Sequence, residues 1–89
     1  MPERFENITV SQRIQEKRPE IEVDDVVAAW RNAIVIRNRT YSSPDYYAAT
    51  GADGKGRMLE MVGVELEDGT LRVFHAMKLQ EKMKEELGL

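Results

Sequence analysis

Hydrophobic residues recur with helical spacing near both ends of this chain and with strand-like spacing in between. A short first helix is predicted from Ser11, which can cap it, to about Lys17, because Pro19 cannot continue it. A second helix is predicted to start at Asp24, its N-cap, and to run to about Asn32. One face of this second helix has the i, i+3, i+4, i+7 spacing of a buried surface, in Val23, Val26, Val27 and Trp30.

The middle of the chain is predicted to form a sheet. Four segments rich in β-branched and aromatic residues read as strands, over residues 33–40, 46–50, 57–66 and 71–77. Residues 41–45 have turn chemistry, and residues 79–87 form a predicted amphipathic helix that Gly88 ends. The predicted fold class is therefore α+β, with two N-terminal helices, a largely antiparallel four-stranded sheet and a C-terminal amphipathic helix.

Length and composition add limits to this fold. The chain has 89 residues, which predicts a single domain over 1–89 with residues 1–7 as a loose terminus. A hydrophobic fraction of 42% and a charged fraction of 33% are typical of a folded globular protein. No residue is cysteine, and no apolar run has the length of a signal peptide or a membrane span. We therefore expect a cytoplasmic protein without disulfides and with no membrane partner.

Two Asp-Gly pairs predict how the last three strands pair. Asp53-Gly54 and Asp68-Gly69 are strong signals for two-residue hairpin turns, because both central positions of a type I′ turn need positive φ. With such turns, Tyr47 would lie opposite Glu60, and His75 would lie diagonally across from Glu60 on the same face. A tyrosine, a carboxylate and the single histidine of the chain would then share one face of the sheet.

The same register predicts the other face of the sheet. It carries a hydrophobic centre that suits packing under helices, formed by Leu59, Met61, Phe74 and Ala76. Gly63 would allow one helix to approach closely, and Glu65 would pair with Arg72 across the strands. Which face forms the core stays open at this stage, because Val62, Val64 and Val73 on the first face are also apolar.

The clustered residues have the chemistry that cleavage of RNA requires. Glu60 is the candidate base and His75 the candidate acid, while Tyr47 could position the substrate or stack on a base. Four cations are candidates for holding phosphate or RNA, namely Arg57, Arg37, Arg39 and Lys78. The alternatives are a structural histidine, a cross-sheet ion pair at Glu60 and arginines that are ordinary surface charge.

Charge and ligand chemistry limit the partners. The net charge of −3 argues against a nucleic-acid partner, yet residues 31–44 contain three arginines and no acidic residue. One histidine, no cysteine and no carboxylate cluster with ligand spacing predict that the chain holds no metal and no cofactor.

The order of several short motifs resembles a known family. A helix over 22–32 and a strand precede Tyr47-Ala-Ala-Thr-Gly51, Gly56-Arg-Met-Leu-Glu-Met-Val62 and Leu71-Arg-Val-Phe-His-Ala76. From roughly Ile14 to Leu79 this order resembles the BrnT-like toxins of type II toxin–antitoxin modules. The resemblance implies a fold similar to RelE toxins, ribonuclease activity on mRNA and neutralisation by a cognate antitoxin.

Individual positions both match the family and depart from it. Arg57 matches the arginine of the Gly-Arg strand, and Ala76 matches the alanine of the final-strand motif. His75 stands where the family usually has a small hydroxyl residue, and Met77 where it has an arginine. Lys17-Arg18-Pro19 substitutes poorly for a Lys-His-Gly-like turn, and the family is often basic. These departures imply either catalysis by His75 or a fold retained without activity.

The sequence thus predicts a small, metal-independent endoribonuclease of the toxin type, with RNA as substrate and an antitoxin protein as partner. Two other hypotheses stay open. One is a non-enzymatic module in which a sheet face or the terminal helix binds a protein. The other is an RNA-binding domain without cleavage, which uses Arg37 and Arg39 with tyrosine stacking. The oligomeric state is open as well, with a homo-oligomer among the options.

Overall fold

The structure, a computed structural model, describes residues 5–39 and 45–89 and has an α+β fold. In chain order its elements are β1 (Ile8–Val10), α1 (Gln12–Lys17), α2 (Val23–Arg31), β2 (Ala33–Arg39), β3 (Tyr46–Ala52), β4 (Met58–Glu65), β5 (Leu71–Lys78) and α3 (Glu81–Leu87). The predicted turn at 41–45 lies, apart from its last residue, outside the described residues. No helix within the described ranges is long and apolar enough to cross a membrane.

The sheet has five strands rather than the predicted four. Its order is β1-β5-β4-β3-β2, with β1 parallel to β5 and the other neighbours antiparallel. β1 was not predicted, because three residues are too few to show an alternating pattern. β1 pairs only with Leu71–Val73, so the second half of β5 has no strand beside it on that edge within the described residues.

The N-terminal segment is better anchored than its polar composition suggested. Phe5 belongs to the predicted loose terminus, yet it is buried against the rings of Trp30 and Tyr47. β1 follows directly and joins the sheet at Ile8. The part of this terminus that the structure describes is therefore held by packing and by strand pairing.

The two N-terminal helices start at different kinds of cap. α1 begins as predicted, with Ser11 Oγ accepting a hydrogen bond from the Arg13 amide at 3.4 Å. α2 begins earlier than predicted, because Glu22 rather than Asp24 is its N-cap. Asp25 Oδ2 accepts from the Glu22 amide at 2.9 Å and completes a capping box.

Helices cover both faces of the sheet. α1 and α2 pack on the face that carries Leu59 and Met61, where the main core also contains Trp30. α3 packs on the opposite face, where Met83 and Leu87 contact a smaller cluster around Val62. The face predicted to lie under helices is thus the main core. The opposite face is covered only in part, by the short α3.

The close approach between helix and sheet occurs at Gly51 rather than at the predicted Gly63. A Cβ atom at Gly51 would overlap the carbonyl oxygen of Ala29 and approach the backbone of Ala33. At Gly63 the nearest neighbour of such an atom would be the Leu71 side chain, on the next strand. The end of α2 therefore packs against β3 at a position where only glycine fits.

Both hairpin turns are one residue longer than a two-residue type I′ turn. In the first, the Asp53 amide bonds the Arg57 carbonyl and Gly56 has a φ of 82°. In the second, the Leu66 amide bonds the Thr70 carbonyl and Gly69 has a φ of 86°. Each is a three-residue loop whose last position needs positive φ. The predicted two-residue turns are therefore wrong in both hairpins.

The longer first turn changes the faces of β3. Ala52 pairs with Met58 rather than with the predicted Lys55. This displacement is three residues along β4, an odd number, so it moves every β3 side chain to the opposite face relative to β4. Tyr47 therefore pairs with Gly63 on the main core face, and Thr50 is the residue opposite Glu60.

A bulge in β5 corrects the register of the second hairpin. Glu65 pairs with Leu71 rather than with the predicted Arg72, as the longer turn requires. The pairing then shifts between Val62 and Gly63, which leaves Phe74 as an extra residue on β5. Beyond the bulge, Val62 pairs with His75 and Glu60 with Met77, the pairs that a two-residue turn at Asp68-Gly69 predicts.

Candidate functional site

The Glu60 carboxylate and the His75 ring lie in contact on the α3 side of the sheet. Glu60 Oε2 is 2.9 Å from His75 Nε2, and its Oε1 accepts a hydrogen bond from the Gln80 amide at 2.9 Å. The Glu60 side chain is 8% exposed and that of His75 35%. A buried carboxylate is thus held by the backbone at the start of α3 and bonds a half-exposed imidazole.

The bulge at Phe74 determines on which face this histidine lies. Val73 points into the main core, and in a regular strand without a bulge His75, two residues later, would point the same way. The bulge reverses the alternation, so His75 shares the face of its partner Val62. The proximity of Glu60 and His75 that the sequence predicted is therefore found, although Val73 and His75 do not share the predicted face.

An open cleft of about 670 Å³ lies beside these two residues, between α3 and the sheet. Arg39 and Lys82 line it together with Phe74, whose side chain is 41% exposed. The ring of Phe74 makes an edge contact with Tyr46 at a centroid distance of 5.5 Å. The cleft therefore brings together a carboxylate–imidazole pair, cationic groups and an accessible aromatic ring.

Tyr47 is not part of this cleft. It lies on the main core face, is 8% exposed and donates a hydrogen bond from its hydroxyl to Glu65 Oε1 at 3.2 Å. The predicted grouping of Tyr47 with Glu60 and His75 is therefore wrong, because the first hairpin has the longer loop. Tyr46 lies on the cleft side in its place, paired with Val64.

Arg57 is held in a network that fastens the first hairpin to α2. Its Nε lies 2.7 Å from Asp53 Oδ2 and its Nη2 lies 3.1 Å from Asp25 Oδ2, while Nη1 donates to the Glu20 carbonyl. The Lys55 ammonium also bonds Asp25, at 3.0 Å. The guanidinium donors are therefore directed at protein groups, away from the cleft.

The charges in this network shift the pKa values of its members. Burial acts to raise the pKa of Asp53, but hydrogen bonds from Arg57 and Lys55 and the charge of Arg57 outweigh it, so the pKa is lowered. The pKa of Asp25 is lowered in the same way, by the Glu22 amide, Lys55 and Arg57 against the effect of burial. The hydrogen bond with Asp53 raises the pKa of Arg57.

The other cations predicted to bind RNA lie in different places. Arg39 lines the cleft and forms two bonds to Glu86 on α3, at 2.7 and 2.8 Å. Arg37 lies on β2 and lines a separate surface depression. Lys78 is exposed at the end of β5, where its carbonyl accepts from the Gln80 side chain. Of these cations, only Arg39 lines the cleft beside Glu60 and His75.

Lys82 and Phe74 are among the residues that line the cleft and were not predicted as site residues. Lys82 lies on α3, and Phe74 was assigned to the packed face because the bulge was not foreseen. The position of Lys82 could have been predicted from the hydrophobic pattern of α3. When an amphipathic helix packs on a sheet, the polar residues at the border of its apolar face lie close to the strands. Bulge positions have no comparable signal in a single sequence.

Neither a metal site nor a similar known protein indicates what the cleft does. Within residues 5–39 and 45–89, no three histidine or acidic side chains are grouped closely enough to hold a metal ion. Comparison with protein-family models, with curated proteins and with solved structures finds no match to this chain. The geometry of Glu60 and His75 beside the cleft is therefore the main indication of function.

Proposed function

We propose that this chain is a small endoribonuclease of the toxin type, which cleaves RNA in the cleft by metal-independent acid–base chemistry. The observation that carries the proposal is the contact between Glu60 and His75 at 2.9 Å, at the edge of an open cleft. Imidazole is suited to proton transfer near neutral pH. A buried carboxylate beside it fixes the orientation of the ring.

The proposed reaction assigns a role to each ring nitrogen. With Glu60 ionised, Nε2–H donates to the carboxylate, which leaves Nδ1 as the acceptor. Nδ1 takes the proton of the ribose 2′-hydroxyl as the 2′-oxygen attacks phosphorus. The bond from phosphorus to the 5′-oxygen breaks, and the same proton is returned to that leaving oxygen. The products are a 2′,3′-cyclic phosphate and a free 5′-hydroxyl.

Lys82 supports this chemistry through its charge. It lines the cleft and forms no ion pair with any described residue. An ammonium group near the pentavalent phosphorane would stabilise the charge that develops on its oxygens. Arg39 also lines the cleft, but its guanidinium is bound by both oxygens of Glu86, so Lys82 is the cation proposed to face the phosphate. In this mechanism Glu60 orients the imidazole instead of acting as the base, and Arg57 has no role in cleavage.

Neutralisation by an antitoxin is part of the same proposal. The support for it is the resemblance of the motifs to BrnT-like toxins, because a nuclease that acts on the host's own RNA requires an inhibitor. A cognate protein that covers the cleft would block access to His75 directly.

The first experiment compares the wild type with His75→Ala in a bacterial host. We expect growth arrest and RNA fragmentation with the wild type. In purified form, with EDTA present, we expect His75→Ala to lower the cleavage rate by about 10²–10⁴-fold. Arg72→Gln is a matched surface control, since Arg72 is exposed and does not line the cleft. Equal growth and intact RNA with both wild type and His75→Ala would remove the proposal.

A binding module without catalysis is the second candidate, and the hydrogen bonds of the cleft favour it. Both oxygens of Glu60 have partners, and Arg39 is bound bidentately to Glu86. Groups satisfied in this way also serve to fix α3 on the sheet. Under this alternative, wild type and His75→Ala bind a partner equally and leave RNA intact. Glu60→Gln keeps an oxygen for the Gln80 amide, so loss of cleavage with an unchanged fold would favour catalysis.

A further inference from the structure

A second, smaller cavity lies on the other side of His75, between α1 and the open edge of β5. It encloses about 180 Å³ and is lined by three cations, Arg13, Lys17 and Arg18, together with Phe74 and His75. β1 ends its pairing at Val73, so no described strand covers β5 at this point. The cavity therefore lies beside a part of the β5 edge that pairs with no strand among the described residues.

The charge of this cavity is not neutralised by the protein. Arg39, Lys55, Arg57 and Lys84 are each paired with a carboxylate. Within the described ranges Arg13, Lys17 and Arg18 form no ion pair, and the contact recorded for Arg18 is with the sulfur of Met77 at 3.7 Å. Arg13 and Lys17 are four residues apart on α1, a spacing at which like charges destabilise a helix. An anion in the cavity would relieve this repulsion.

The cavity and the cleft share two lining residues. Phe74 and His75 line both of them. The cavity lies on the α1 side of β5 and the cleft on the α3 side. A ligand that occupies the cleft and carries regularly spaced negative charge would reach the three cations by crossing the free edge of β5. Single-stranded RNA has this form, with one phosphate per nucleotide and bases that stack on exposed aromatic rings.

We propose that Arg13, Lys17 and Arg18 form a phosphate-binding subsite for single-stranded RNA. The subsite holds a phosphate that neighbours the one in the cleft, and Phe74 stacks on the base between them. This inference rests on RNA as the proposed ligand of the cleft, but it does not require that the RNA be cleaved. An acidic protein segment has the same charge without the bases, and the test below separates the two.

The test measures RNA binding in the full chain with Arg13→Gln and Lys17→Gln combined. Both side chains are exposed, so the fold is expected to persist, and an unchanged or higher unfolding midpoint would verify this. The control combines Arg72→Gln with Lys84→Gln, which removes the same charge at exposed or partly exposed positions outside both cavities. The probe is a fluorescein-labelled single-stranded RNA of mixed sequence, titrated at several salt concentrations by fluorescence anisotropy. All variants carry His75→Ala to prevent cleavage of the probe.

We expect the Arg13/Lys17 variant to bind about tenfold more weakly than its parent. The slope of log affinity against log salt should fall by about 0.7, since the subsite neutralises one phosphate and each neutralised phosphate on a single strand contributes about 0.7. The control should stay within about twofold of the parent. Equal losses in the two variants, or no binding by the parent, would overturn the subsite.

Two further results separate this inference from the proposed cleavage. If the Arg13/Lys17 variant loses RNA affinity while the wild type cleaves nothing, the subsite stands and the cleavage fails. If the wild type cleaves and the variant binds as its parent does, the subsite fails and the cleavage stands. Tighter binding of a labelled polyglutamate peptide than of RNA, lost in the same variant, would assign the cavity to an acidic protein segment and overturn the RNA subsite.

Discussion

Three hydrogen bonds join Asp53 to Arg57 and close the first hairpin. The Asp53 amide bonds the Arg57 carbonyl at 2.9 Å, the Arg57 amide bonds Asp53 Oδ1 at 2.8 Å, and the guanidinium bonds Asp53 Oδ2 at 2.7 Å. Asp25 joins this pair to the start of α2. The loop between β3 and β4 is therefore fixed in its three-residue form by side chains as well as by backbone.

Replacement of Asp53 by alanine should lower the stability of the fold markedly. The Asp53 side chain is fully buried, and its removal leaves Nε of Arg57 and the backbone amides of Lys55 and Arg57 without their acceptor. We expect the free energy of unfolding in urea to fall by about 3 kcal/mol. Asp68→Ala is the matched control, because Asp68 accepts from the Thr70 amide in the second hairpin, at an exposed position. A loss at Asp53 no larger than at Asp68 would contradict this view of the network.

The same network should make the fold sensitive to acid. The pKa values of Asp53 and Asp25 are lowered in the folded chain from their ordinary value of 3.8. A lowered folded-state pKa stabilises the fold above the unfolded-state value, and that stabilisation is lost as the pH falls through the folded-state value. The free energy of unfolding should therefore hold near neutral pH and decline below about pH 4. Urea unfolding of wild type and Asp53→Asn between pH 7 and pH 3 measures this, and an equally steep decline in the variant would count against it.

Gly51→Ala tests the contact between α2 and β3. The added methyl would collide with the backbone of Ala29 and Ala33, which cannot move aside as a side chain can. We expect a loss of about 2 kcal/mol in the free energy of unfolding. Gly54→Ala is the control, since its Cβ would meet no atom within 4 Å and its φ is not positive. Its stability should stay within about 0.5 kcal/mol of the wild type.

Phe74→Ala should separate binding from stability. Its ring is 41% exposed and lines both cavities, so its removal costs the core little. We expect the affinity for single-stranded RNA to fall by about tenfold, the effect of one lost stacking contact. Leu66→Ala removes a side chain of similar exposure, 40%, from the second turn and should leave RNA affinity unchanged. Anisotropy titrations of both variants would show whether Phe74 contacts the ligand.

The sequence predicted most of the elements because each has a local signal. Ser11 caps α1, and Gly88 ends α3 with a φ of 77°. On α2, Val26 and Trp30 are buried as their spacing predicted, whereas Val23, at the start of the helix, is 44% exposed. β1 lacked such a signal, because its identity as a strand depends on its partner Leu71, far along the chain. Local patterns therefore predict elements well and do not predict a strand that exists only through its neighbour.

The candidate site was predicted in part, and the errors come from the predicted lengths of the two hairpin loops. Asp53-Gly54 looked like a complete turn, yet Gly56 is the residue with positive φ and Gly54 is not. That difference moved Tyr47 into the core. Glu60 and His75 were placed together correctly because two errors cancelled, since the second turn is one residue longer than predicted and the bulge at Phe74 adds one residue to β5.

The bulge makes the position of His75 independent of one residue of the chain. Residues 71 and 73 of β5 belong to the main core, and 75 belongs to the cleft face, with Phe74 as the extra residue between them. Deletion of Phe74 would make Val73 and His75 consecutive, so regular alternation would keep His75 on the cleft face, opposite Val62. Glu60 would stay where it is, beside the Gln80 amide. A protein that lacks only Phe74 would thus keep the proposed catalytic pair and lose the exposed ring beside it.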